Sequence, residues 1–113
     1  MRIIRRDSYA IDLDRIVDRI ALDNPSAALD MWDEIERQVE RLPDFPRSGR
    51  AGRMPETREL VVSGTPYIVV YLVSDDVELI RVLHGAEQWP PDNYISALRI
   101  RRRSQQGVDA RDI

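Results

Sequence analysis

The one histidine of the chain, His84, closes the apolar run "VELIRVLH" and is followed directly by Gly85. An imidazole with an ordinary pKa of ~6.5 is, by type, the best general acid or base available near neutral pH. Two arginines stand inside apolar runs as well, Arg58 in "TRELVV" and Arg81 in "ELIRVLH". A guanidinium in a strand loses hydration unless it is paired or reaches a groove. Each therefore points either into a functional concavity or into an internal ion pair with Glu59, Glu78 or an acid of the helices. Period-2 alternation groups Arg58 with Leu60 and Val62, and Arg81 with Val77, Leu79 and Leu83. Acid–base work also needs a group that orients the imidazole, and none adjoins His84 in sequence. The other reading of His84 is a hydrogen-bonded residue at a strand end.

Three further arginines, Arg47, Arg50 and Arg53, are interleaved with Gly49 and Gly52 in "RSGRAGR". Glycines let the backbone turn tightly, and guanidiniums offer forked donors to phosphate or carboxylate. The segment reads as an anion-contacting or partner-contacting loop, or as a solvated surface loop. Trp89, before Pro90 and Pro91, is either an exposed interface anchor or a residue packing the chain end back on the fold. Metal chemistry is poorly supplied. There is no cysteine, so a zinc site would need mostly carboxylates beside one histidine. Phosphate-loop, dinucleotide, nucleophile-elbow and zincin motifs are absent, and no cofactor is implied.

The 113 residues predict one domain, large enough to fold without disulfide or metal. All 17 basic residues are arginine, against 20 acids, for a net charge of −3. That balance argues against non-specific nucleic-acid binding. The distribution is uneven. Residues 1–44 hold seven arginines and eleven acids, residues 45–64 four arginines and two glutamates, and Arg99, Arg101, Arg102 and Arg103 form a basic run near the end. No signal peptide is visible and the longest apolar run, Tyr67–Val73, is far short of a membrane span. A soluble, cytoplasmic protein without membrane association is expected, and the lack of cysteine fits a reducing compartment.

The elements that must position these residues follow from periodicity. "RIIRR" suits a short strand. Asp7 or Ser8 can cap a first helix whose stripe is Leu13, Ile16, Val17, Ile20 and Ala21, with Asp12, Asp14, Arg15, Asp18 and Arg19 on the other face. "DNPSAA" ends it and starts another, with Asn24 as cap and Pro25 at the first helical position. Its stripe is Ala28, Met31, Trp32, Ile35, Val39 and Leu42, Asp33 and Arg37 can pair outside, and Pro43 and Pro46 stop it. After a loop come three β-rich runs separated by "SGTP" and "SDD". The expected fold is α+β, in the order β-α-α-β-β-β, with a helical hairpin on one face of a small, mainly antiparallel sheet. Residues 1–91 make that domain. Residues 92–113 are a basic extension in which "DNYISALRIRRRSQQG" could form a short helix, followed by a frayed end.

"DNPSAA", "LPDFPRSGRAGR", "TRELVV", "PYIVVYLV" and "VELIRVLHGAEQWP", in this order and spacing over about residues 7 to 90, resemble the RelE/ParE superfamily of toxins from type II toxin–antitoxin systems. The resemblance implies a β-α-α-β-β-β toxin that arrests bacterial growth, serves plasmid stabilisation, and is neutralised by a cognate antitoxin in a hetero-oligomer. RelE-like members cleave mRNA in the ribosomal A site; ParE-like members act on DNA gyrase and are not nucleases. RelE-like patterns carry a strand arginine where this chain has Ile68, and they favour lysines, of which there are none. The resemblance is thus closer to the ParE-like branch, a gyrase inhibitor and not an enzyme. The alternative is a ribosome-dependent endoribonuclease, with His84 as acid/base and Arg58 and Arg81 stabilising the phosphate. A third reading is a non-toxic binding module of the same fold. Antitoxins of these systems are commonly disordered before binding and acidic in the toxin-binding half. That suits Arg47, Arg50, Arg53 and Arg58, with Trp89 as a further contact, and makes the meander edge and the helical hairpin the candidate surfaces.

Overall fold

The structure, a computed structural model, describes residues 1–91. Strand β1 (Ile3–Arg5) leads into helices α1 (Asp7–Ala21) and α2 (Pro25–Val39), followed by β2 (Arg50–Ala51), β3 (Arg58–Val61), β4 (Tyr67–Val73) and β5 (Val77–His84). The sheet order is β1-β5-β4-β3-β2, with β1 parallel to β5 and every other neighbour antiparallel. The expected α+β fold is present, with one more strand than the sequence suggests. The extra strand, β2, lies inside "RSGRAGR", where a loop was expected. The extension from residue 92 lies outside the described residues. No described helix is long and apolar enough to cross a membrane.

The helix ends follow two different rules. Asn24 caps α2 as expected, its side chain accepting the Ala27 N–H at 3.1 Å, and Pro25 opens the helix. At α1 neither Asp7 nor Ser8 is the cap. Arg6 holds that position without a side-chain bond, because the sheet fixes the start instead. The Arg6 N–H donates to the Leu79 carbonyl and the Ser8 hydroxyl to the Ile80 carbonyl.

The hairpin buries Tyr9, Leu13, Ile35, Val39 and Leu42 against Val62, Val69, Tyr71, Val77, Leu79 and Val82. Burying each such side chain contributes roughly 1.5–3 kcal/mol relative to exposure. Tyr9 extends the expected α1 stripe by one turn, and Asp12, expected on the outer face, is buried. Trp32, expected on the α2 stripe, is 38% exposed. On the solvent side Arg37 pairs with Glu34 at 2.7 Å rather than with Asp33. Glu34 also accepts from Gln38, so one carboxylate serves two partners along the helix. The opposite sheet face carries a smaller cluster of Met54, Val70, Leu83 and Trp89.

Simple alternation fails along β5. Tyr71 faces Leu79 and Val70 faces Arg81, which leaves Ile80 as an extra residue on β5. Such a bulge re-aims the side chains beyond it. Val77, Leu79 and Val82 therefore join the helix-facing core while Leu83 turns to the second cluster, so the expected single face for Val77, Leu79, Arg81 and Leu83 does not exist.

Candidate functional site

β1 pairs only with Val77–Leu79, so the second half of β5 has no strand on that side. Unpaired backbone groups at such an edge need other partners. α1 supplies them. Ser8 takes the Ile80 carbonyl, and Asp12 takes the Val82 N–H at 2.9 Å. The same Asp12 carboxylate receives Arg81 Nε at 2.5 Å and Nη2 at 3.2 Å. Arg81 thus lies in an internal ion pair with a helix acid, while its guanidinium carbon sits 5.2 Å from the centre of the Trp89 ring.

Beside this pair a cleft of about 230 Å³ opens between α1 and the end of the β4–β5 ladder, lined by Asp12, Arg15, Ile16, Arg19, Tyr67, Arg81, Val82, His84 and Glu87. His84 is exposed at its rim. Its Nδ1 accepts the Ala86 N–H at 3.1 Å, and its ring meets Tyr67 edge-on at 5.9 Å. With Nδ1 engaged as an acceptor, neutral His84 carries its proton on Nε2. The nearest carboxylate in the turn, Glu87, accepts from the His84 backbone N–H at 3.4 Å and not from the ring. A backbone donor orients this imidazole, whereas an acid–base histidine normally gains basicity from a carboxylate on its other nitrogen. Arg15 and Arg19 share this lining with two acids, Asp12 and Glu87, and among the described residues it holds no Ser, Thr, Cys or Lys.

Arg58 is elsewhere. It lies on β3, two strands from β5, and its Nη1 donates to the carbonyls of Gly49 at 3.0 Å and Arg47 at 3.5 Å. Tyr71 holds the same loop, its hydroxyl donating to Pro46 O at 2.8 Å and accepting the Gly49 N–H at 2.9 Å. Burial raises the phenol pKa above its ordinary value, so it stays protonated. The approach is so close that a Cβ on Gly49 would lie 2.5 Å from the Tyr71 oxygen. The structure brings Arg81 and His84 to one cleft and leaves Arg58 outside it.

The remaining arginines divide. Arg50 and Arg53 close on Glu59, whose side chain is 1% exposed, at 3.1 Å each, and the Arg53 N–H donates to it at 2.9 Å. Burial alone would raise that carboxyl; the Arg53 N–H and the two guanidiniums overcome it and leave Glu59 below the ordinary carboxylate value. Arg47 is exposed. Trp89 is 6% exposed and packs inside the second cluster rather than standing on the surface. Among the described residues no group of three or more His, Cys, Asp or Glu is placed to hold a metal ion.

Sequence reasoning allowed a helix acid as the partner of Arg81 without singling out Asp12, and it offered Glu59 to Arg58 or Arg81 rather than to Arg50 and Arg53. A signal for Asp12 was present: Tyr9, Asp12, Leu13 and Ile16 fall at i, i+3, i+4 and i+7, so Asp12 stands on the apolar stripe. Glu59, inside "TRELVV", gave no comparable signal for two arginines on one carboxylate.

Residues 3–89 match the family described as the ParE toxin of type II toxin-antitoxin system, parDE. A protein of Sinorhizobium fredii (strain NBRC 101917 / NGR234) named "Putative toxin Y4kP" is 45% identical over 78 residues, which span 69% of this chain and 81% of that protein. A solved structure described as the chromosomal ParDE TA system from P. aeruginosa is similar with a TM-score of 0.69 and 25% identity, over 74% of this chain and 95% of that one.

Proposed function

Because this chain belongs to the ParE toxin family of type II toxin–antitoxin systems, we propose that it arrests growth by inhibiting DNA gyrase in the cytoplasm. We propose further that a cognate antitoxin neutralises it in a hetero-oligomer. The observation that supports the gyrase reading over the nuclease one is the disposition of the three candidate catalytic residues. A phosphate gaining charge needs a cation free to follow it. Arg81 is committed to Asp12, and Arg58 is committed to two loop carbonyls on β3. His84 has a backbone N–H, not a carboxylate, on Nδ1. One observation favours the endoribonuclease alternative: Arg81 and His84 do share a cleft with Arg15 and Arg19.

The deciding experiment is a gyrase supercoiling assay run beside an in vitro translation assay with the same purified toxin. The expected result is loss of supercoiling with intact mRNA. Codon-linked mRNA cuts that vanish in His84→Ala would overturn the reading in favour of the nuclease. Harmless expression of the chain without antitoxin would instead support a non-toxic binding module.

A further inference from the structure

The arginines around the end of α2 and the start of β3 fall into two sets. Arg50 and Arg53 share Glu59. Arg41, Arg47 and Arg58 form no ion pair among the described residues. Arg58 donates to the neutral carbonyls of Arg47 and Gly49, on either side of Ser48, so it keeps its charge there. Arg41 lies 6.0 Å from the Phe45 ring centre. Arg41, Phe45 and Ser48, with Leu60 and Val61, line a groove of about 450 Å³. Small-ligand sites span ~300–1,000 Å³. No described acid lines the groove; Asp44 adjoins Phe45 in the chain but not in the lining. Residues 1–44 hold eleven acids against seven arginines, so a polyanion is repelled by most of the helical hairpin and drawn to this corner.

Phe45 is 58% exposed and yet firmly placed. Its N–H donates to the Arg41 carbonyl at 3.0 Å, and its carbonyl accepts the Ser48 N–H at 3.0 Å. Tyr71 anchors the residues that follow, through the Pro46 carbonyl and the Gly49 N–H. A ring held in this way loses little freedom when a partner is laid on it.

We propose that this groove binds an unpaired DNA strand, with one base stacked on Phe45 and the flanking phosphates on Arg41, Arg47 and Arg58. Single-strand sites combine a basic track with aromatic rings on which successive bases stack. Both are present here. A carboxylate side chain would meet the guanidiniums but has no π face to lay on the ring. A duplex keeps its bases stacked inside and offers the ring none. The Gln38 amide, also in the lining, is bonded to both backbone groups of Ser63 and cannot read base edges. Binding should therefore tolerate any base sequence. The choice of DNA rests on the gyrase reading above: such a contact lets the toxin engage the DNA that gyrase holds as well as the enzyme.

The test is fluorescence anisotropy of a short labelled oligothymidylate with the full-length toxin alone, so its outcome is separate from that of the supercoiling assay. Wild-type toxin is expected to bind. Phe45→Ala should weaken binding roughly tenfold, and Phe45→Leu, which keeps apolar bulk without a π face, should weaken it as much. Phe45→Trp should preserve it. Arg41→Ala should lower the slope of log K against log salt by about 0.7. No binding by the wild type would overturn the proposal and leave the gyrase reading intact. Binding unchanged in every variant would place the contact elsewhere, as on the run Arg99 to Arg103, and overturn it. Thymidine monophosphate binding as tightly as the oligomer would assign the groove to a free nucleotide. Variants that lose affinity for an acidic antitoxin peptide but not for the oligomer would assign it to that peptide. Either result overturns the proposal.

Discussion

Asp12 and Arg81, 69 residues apart in the chain, are joined by Nε and Nη2 bonds of 2.5 and 3.2 Å, and the Asp12 carboxylate also takes the Val82 N–H. One side chain of α1 thus neutralises a strand arginine and pairs the backbone of a strand edge. Removing it leaves both groups without that partner. Asp12→Ala is expected to cost about 2–4 kcal/mol in urea unfolding. Asp12→Asn, which keeps an acceptor for Val82, should cost about half as much.

The Glu59 cluster predicts a pH dependence. The folded carboxyl titrates below its ordinary value of 4.5. A carboxylate of this kind contributes stability that is whole above the unfolded value and is lost as the pH falls through the lower folded one. Wild-type protein should therefore lose more stability than Glu59→Gln as the pH falls from about 5 through the lowered folded value, and the two curves should converge in acid. At neutral pH the variant is expected to be less stable by roughly 2–4 kcal/mol, since Arg50 and Arg53 lose their shared partner. Parallel curves across the acid range would refute the assignment.

Gly49 permits the approach of Tyr71 to the loop. Gly49→Ala places a Cβ 2.5 Å from the Tyr71 hydroxyl and 2.9 Å from the Glu59 carbonyl. Overpacking of this kind costs about 1–3 kcal/mol. Part of that penalty is expected to disappear in a Tyr71→Phe background, where the hydroxyl is gone. A double-mutant cycle measured by denaturant unfolding gives the coupling, and strict additivity would show that the contact is not what limits position 49.

Gln38 guards the end of β3 as a neighbouring strand would, its amide donating to the Ser63 carbonyl at 3.0 Å and accepting the Ser63 N–H at 2.9 Å. Gln38→Ala should free the Ser63 N–H and accelerate its hydrogen exchange, with a stability loss of about 1 kcal/mol. Gln38→Glu keeps an acceptor for the Ser63 N–H but cannot donate to the Ser63 carbonyl, so it should restore protection at the amide without recovering the full stability. If Ser63 exchange were the same in all three proteins, the amide would not be acting as a strand.

What the sequence disclosed was what local chemistry decides. Asn24 and Pro25 mark the start of α2 by themselves, and the short turns between β3, β4 and β5 force an antiparallel meander. β2 was not legible, because two residues have no periodicity and the pairing is completed by Glu59 reaching Arg50 and Arg53. The bulge at Ile80 was hidden for the opposite reason: "VELIRVLH" alternates well enough to suggest an unbroken strand, and only the partner register reveals the extra residue. The shared cleft of Arg81 and His84 was not legible, because alternation puts residues three apart on opposite faces of a strand, and only the fold brings both to one lining. The separation of Arg58 from them depends on strand order, which spacing along the chain does not encode.

The parallel pairing of β1 with β5 also governs the order of events in folding. Ile3 finds Val77 only after nearly the whole domain has been synthesised, whereas the helical hairpin between them is built from local contacts. Early in translation α1 and α2 can associate, but α1 has no sheet to lie on and Asp12 no edge to close. Long-range strand pairing of this kind slows folding and keeps incomplete chains partly exposed. Synthesis of β5 is therefore the step at which α1 gains its sheet and Asp12 its partners, and chains terminated before it should lack a stable fold however well their helices form.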